Sequence, residues 1–310
     1  MTEKYPNLYY TLRGLGLLLI MGLYAVPNWM NHSFFGLGLI AILFLGIPHG
    51  ATDYLIFKNL KQSYLGSKKL IHFYLSYLAI MALYGIIWIS FPSIGLLIFI
   101  GISLFHFGQS NWVYVFPDGG TIGWITYIIW GTFVLIIPIM AHYETALPVI
   151  EAISSNLAWE ISESLRVGII VAVTVLTLAT IMSLYFFSIL NRKSLFNELL
   201  NLIILGFALY QLPLWLGFAF YFAGWHSLTS IQEQISFFQI NSPNYNWRDY
   251  IKNTAGLSFL ALVAIIGLIY WGGSFDNVFI LKYLFIFIGV VTLPHMLLIH
   301  QLYKDKSAPY

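Results

Sequence analysis

Gly46-Ile47-Pro48-His49-Gly50-Ala51-Thr52-Asp53 lies deep in an apolar run from Phe34 to Phe57. The run is too long for most soluble helices and long enough to cross a bilayer. Inside it a proline, a histidine and an aspartate are costly, and ionisable groups at membrane depth usually mark a working site. His49 and Asp53 are four residues apart and share one face of a helix. Pro48 removes a backbone donor and kinks a helix where the imidazole projects. Three more histidines fall at similar depth elsewhere in the chain, which reads as built around that group.

Of 310 residues, 59% are hydrophobic and 8% charged, whereas a soluble domain averages about 25% charged residues. This composition predicts an integral membrane protein. Apolar runs of helical length make it an all-α polytopic bundle; a membrane barrel would show alternating segments of ~10 residues instead. A net charge of +2 carries no nucleic-acid footprint. The absence of cysteine excludes disulfides, iron–sulfur clusters and thiolate metal sites. The first apolar run follows Lys4 and Arg13 without a small-residue cleavage site, and is read as a retained helix.

About ten spans (8–10) are expected, near 10–27, 35–57, 70–91, 93–115, 121–140, 166–190, 196–211, 213–238, 254–272 and 277–302, with Pro213 either separating the short seventh from the eighth or lying within one broken element. Lysine and arginine concentrate in alternate connections. Lys58, Lys61, Lys68 and Lys69 lie in 58–69, Arg192 and Lys193 in 191–195, Arg248 and Lys252 in 239–253, and Lys304 and Lys306 at the C-terminus. The others are neutral or acidic: 28–34 carries no charge, 141–165 carries Glu144, Glu151, Glu160 and Glu163, and 273–276 carries Asp276. By the positive-inside rule both termini are cytoplasmic; Asp118 is a weak exception. Within 141–165, Ile150, Ile153, Leu157, Ile161 and Leu165 recur at steps of three and four, predicting an amphipathic helix on the outer surface. No repeat period is visible beyond the echo of Pro48-His49 in Pro294-His295. The chain is expected to be a single membrane domain, 1–310.

Depth divides the eight histidines. His32, His72, His142 and His300 fall at or outside the membrane boundaries, where water or headgroups satisfy them. His49, His106, His226 and His295 lie in the second, fourth, eighth and tenth spans, all running inward. They sit roughly 20–27 Å from the outer ends at about 1.5 Å per residue, a common layer that suggests a shared metal site. Imidazole suits iron, copper, nickel and zinc. Structural zinc would saturate a tetrahedron, a redox metal would keep open positions, and bis-histidine haem is a rival. Gln109, Asp53 and Ser230 stand three or four residues from His106, His49 and His226, and can take the second N–H of a ligand imidazole.

The motifs Gly46-Ile47-Pro48-His49-Gly50-Ala51-Thr52-Asp53, Phe105-His106-Phe107-Gly108, Trp225-His226-Ser227 and Leu293-Pro294-His295-Met296 together resemble the Brp/Blh family of bacterial and archaeal β-carotene 15,15′-dioxygenases. The resemblance runs from the second span to the C-terminus, making 34–303 the family core and 1–33 an N-terminal extra helix. It implies an Fe(2+) enzyme of the cell membrane that cleaves the central double bond of β-carotene with dioxygen. Two all-trans-retinal molecules result, often destined for a microbial rhodopsin. His49 matches the histidine of the Pro-His-Gly motif, His106 that of His-Phe-Gly, and His226 the first histidine of His-Ser-x-x-His. The second histidine position of that motif is Ser230 here, and His295 is the natural fourth ligand by depth or else a residue that supports a ligand from behind.

A C40 polyene needs an apolar tunnel, and aromatic residues make up 18% of the chain. Phe44, Phe105, Phe107, Trp112, Phe222 and Trp225 stand near the histidines and are candidates for it. Against a retinal-binding rhodopsin, Lys282 near an outer helix end is badly placed for a Schiff base. The clustered histidine boxes of membrane desaturases are absent. A transporter with proton-relay histidines and a haem electron carrier stay open.

Overall fold

The computed structural model describes residues 5–25, 35–60 and 67–304. His32, the connection 28–34, Lys61 and Lys306 lie outside the described residues. Those described form helices joined by short connections, without a strand. The helices are α1 (Pro6–Ala25), α2 (Phe35–Leu60), α3 (Ser67–Ser90), α4 (Pro92–Trp112), α5 (Gly120–Ala141), α6 (Tyr143–Ile153), α7 (Glu163–Phe186) and α8 (Arg192–Gln211). After them come α9 in three consecutive segments (Leu214–Ala219, Phe220–Ser227, Leu228–Asn241), α10 (Trp247–Gly272) and α11 (Asn277–Lys304).

Nine of the described helices are long and apolar enough to cross a bilayer. The remaining expected span, the eighth, is α9, which widens into a π-helix over Phe220–Ser227 and so is no single α-helix. Every residue of that π segment is buried. By contrast, α3 and α10 turn Leu75, Ile86, Phe259, Leu260 and Trp271 outward. In water such surfaces would aggregate; lipid covers them. The chain is a multi-pass membrane protein.

Two compact units make up the chain. Unit 1 comprises Met1–Ile42, Ser103–Ala146 and Glu160–Thr229; unit 2 comprises Leu43–Ile102, Leu147–Trp159 and Ser230–Tyr310.

In unit 1, α5 packs on α7 and α8, and α1 packs on α8. The first span begins at Pro6, earlier than hydropathy suggests, because proline suits a helix start. Arg13 consequently lies inside α1, on the buried stripe Tyr9, Leu12, Arg13, Gly16 and Ile20. A guanidinium there needs partners. Its Nε and Nη2 donate to Asn201 Oδ1 at 2.9 and 2.7 Å, and Nη2 reaches Asn197 Oδ1 at 3.2 Å. Buried Glu198 accepts from Asn201 Nδ2 at 3.2 Å and from Tyr114 Oη at 2.7 Å. Tyr9 meets the ring of Trp225 edge to face at 5.3 Å.

In unit 2, α11 packs on α3 and on the second half of α2, and α10 packs on Ile47–Gly50. α2 is irregular at the motif: a π turn over Ile42–Gly46, a short helix Ile47–Gly50, a break at Ala51–Thr52, then Asp53–Leu60. Pro294 similarly sits inside α11.

The surface helix of 141–165 falls earlier than its apolar steps predict. α6 covers Tyr143–Ile153 and buries Tyr143, Ala146, Val149 and Ile153. Ser154 then turns extended and its Oγ bonds Ser93 Oγ at 2.6 Å, so Leu157 and Ile161 leave the helix.

Candidate metal centre

His49, His106, His226 and His295 are 6, 3, 2 and 4% exposed. His72 is exposed, and His142 and His300 are half-buried. Burial therefore sets the same four apart among the described histidines.

Unit 1 pairs His106 with His226, their rings edge to face at 4.9 Å. α4 carries His106 as an ordinary helical residue. The π segment carries His226, and π turns recur at functional positions because they re-aim a side chain within a helix. The widened ladder is tied by hydroxyls. Ser227 Oγ donates to Phe222 O at 2.7 Å, and Thr229 Oγ1 to Trp225 O at 2.7 Å. His226 Nδ1 bonds Ser110 Oγ at 3.0 Å, while the Ser110 hydroxyl proton goes to Phe107 O at 3.0 Å. Ser110 can then only accept from the ring. Nδ1 carries the proton and Nε2 keeps the lone pair.

Unit 2 pairs His49 with His295, edge to face at 5.1 Å. The Pro48-His49 and Pro294-His295 echo thus meets in space. His49 Nδ1 bonds the carbonyl of Gly46. A carbonyl only accepts, so Nδ1 is protonated and Nε2 again holds the lone pair. His295 Nδ1 bonds Asp53 Oδ1 at 2.8 Å, and Tyr77 Oη donates to Asp53 Oδ2 at 2.8 Å.

This changes two expected partnerships. Asp53 does not serve His49 one turn away, because the break at Ala51–Thr52 interrupts the i, i+4 register and aims the carboxylate at His295. Ser110 on α4, rather than Ser230, takes the Nδ1 proton of His226. Ser110 was legible only as a polar residue four after His106 in an apolar helix. Gln109 and Ser230 are both buried.

The aromatic candidates separate. Phe107 and Phe222 flank His226 at centroid distances of 5.1 and 6.0 Å. Phe105 packs on Tyr127, Trp112 on Trp130, and Trp225 on Tyr9 and Phe220. Phe44 is 64% exposed: it precedes His49 by five residues and faces outward.

His49, His106 and His226 each offer a buried ring nitrogen that can hold a metal ion. The donor types fit ferrous iron: buried imidazoles, three with Nδ1 hydrogen-bonded, a carboxylate behind one of them, and no thiolate.

The β-carotene 15,15′-dioxygenase family matches residues 40–303, from the first half of α2 to nearly the end of α11. The chain belongs to that family. A β-carotene 15,15′-dioxygenase of an uncultured marine bacterium (66A03) is 31% identical over 93 residues, which are 27% of this chain. The match spans about a third of that relative (34%). No solved structure matches. All four buried histidines fall within the family region, whereas α1 and its Arg13 network begin before it.

Proposed function

We propose that the protein cleaves the central 15,15′ double bond of β-carotene with dioxygen, giving two all-trans-retinal molecules. In the net reaction the C=C and O=O bonds break and two C=O bonds form. The observation that supports this reading is the match of residues 40–303 to the β-carotene 15,15′-dioxygenase family; the Nδ1 hydrogen bonds of His49, His226 and His295 would leave Nε2 of each for a metal. His49, His106 and His226, with His295 as the fourth, would hold Fe(2+). When bound, ferrous iron supplies the activation of dioxygen that an alkene alone lacks. The chain orients the imidazoles, lines the polyene with Phe107 and Phe222, and keeps water from reactive species. Residues 1–33 extend a core of 34–303, both termini face the cytoplasm, and the enzyme resides in the cell membrane, where its product can pass to a microbial rhodopsin.

The test is expression in β-carotene-producing bacteria beside a His49→Ala control. Loss of orange colour with retinal on chromatography, absent from the control, is the expected result. Intact carotene beside folded, iron-loaded protein would overturn the reading.

Asp53 supplies a second check. Asp53→Asn preserves size and removes the negative charge behind His295. Metal affinity is expected to fall roughly 10–100-fold, measured by titration of the metal-stripped protein. Unchanged affinity would detach His295 from the metal.

A further inference from the structure

Gln234 is a buried amide on the Leu228–Asn241 segment of α9 that the metal reading does not use. Its Nε2 donates to the carbonyl of His49 at 3.0 Å, across 185 positions of sequence. Its Oε1 faces two hydroxyls, Thr52 Oγ1 at 2.8 Å and Tyr250 Oη at 2.7 Å. Only one amide orientation fits, because the nitrogen must meet the carbonyl and the oxygen the donors.

These bonds converge on the break in α2. Thr52 Oγ1 also lies 3.1 Å from His49 O, and Tyr250 Oη 3.2 Å from Pro48 O. Pro48 O closes a short turn with Ala51 N at 3.2 Å. At the break the His49 carbonyl thus takes its hydrogen bond from the Gln234 amide, whose Oε1 accepts the single hydroxyl protons of Thr52 and Tyr250. A backbone fault at membrane depth needs such partners, since lipid offers none. The bonds also have a consequence for His49. Its ring is tied at Nδ1 to Gly46, and its backbone is tied to Gln234. Both ends of the side chain are held, which leaves Nε2 little freedom.

We infer that Gln234, with Thr52 and Tyr250, is a positioning residue: it locks the α2 break so that His49 Nε2 holds its metal in one orientation. The inference rests on the reading of His49 as a ligand. It assigns to a hydrogen-bonded amide a role that burial alone would ascribe to packing.

The test uses the metal-stripped, full-length protein in nanodiscs, titrated with Co(II), whose visible ligand-field bands report ligand geometry. Gln234→Met keeps side-chain length and removes the donor and the acceptor. Its Co(II) affinity is expected to drop about tenfold, the lower end of what lost outer-shell support costs. Its bands at saturation should shift from those of wild type. Tyr250→Phe removes one hydroxyl and should give the same band shift in smaller measure, so it decides the matter if Gln234→Met fails to fold. Wild-type affinity and wild-type bands in the folded variants would overturn the inference while leaving His49 a ligand. Absence of Co(II) binding by wild type would instead remove the metal reading itself.

Discussion

His106→Ala is expected to reduce retinal formation to background in cells that still accumulate the protein in their membranes. His106 is 3% exposed on α4, beside the ring of His226 and near Phe107. Alanine leaves a small cavity there and, on the proposed reading, removes a ligand nitrogen. His300→Ala is the matched control. His300 lies five residues beyond His295 on α11 and is only half-buried. Its loss should leave both retinal yield and bound iron near wild type. Iron counted by mass spectrometry on the purified proteins separates the two, with loss expected in His106→Ala alone. Full activity in His106→Ala would sink the metal site, and iron loss in His300→Ala would show that burial misassigned a ligand.

Most of the helices were legible because a bilayer demands long apolar runs, and an imidazole within one stands out against them. The same contrast made His49, His106, His226 and His295 visible from the sequence alone. What escaped was local geometry that hydropathy does not encode. Asp53 reads as the partner of His49 only if α2 is a regular helix. The break at Ala51–Thr52 gives Asp53 to His295 instead. The π turn at Phe220–Ser227 has no proline to announce it. Its one sign was a pair of hydroxyls, Ser227 and Thr229, placed to bond loosened carbonyls. Arg13 looked like a flanking charge, because the asparagines that accommodate it lie far away in the chain: Asn201 is at a separation of 188. Contacts at that range follow from packing, which one sequence without its fold does not display.

Gly108→Ala is expected to prevent normal accumulation, a larger effect than one methyl group suggests. A Cβ on Gly108 would overlap the backbone carbonyl of Tyr127 on α5, and a Cβ on Gly131 would overlap that of Leu104 on α4. Leu104 and Gly108 are one helical turn apart, as are Tyr127 and Gly131, so the two helices cross with backbone against backbone. Small residues allow such crossings in membranes, where packing rather than the hydrophobic effect joins helices. The obstacle is main chain, which cannot rotate aside as a side chain would, so α4 must move as a body. Overpacking of this kind costs about 1–3 kcal/mol and more where nothing yields. The displacement also carries His106 and Ser110, which stand two residues to either side of Gly108. Any folded fraction should therefore bind metal more weakly than wild type. Gly101→Ala supplies the comparison on the same helix, since a Cβ there meets nothing within 4 Å. Fluorescence-detected size exclusion in detergent measures accumulation of both variants. A sharp monodisperse peak for Gly101→Ala and its loss for Gly108→Ala is the expected pair. Equal peaks with equal metal content would mean that α4 and α5 do not cross as closely as these carbonyls place them.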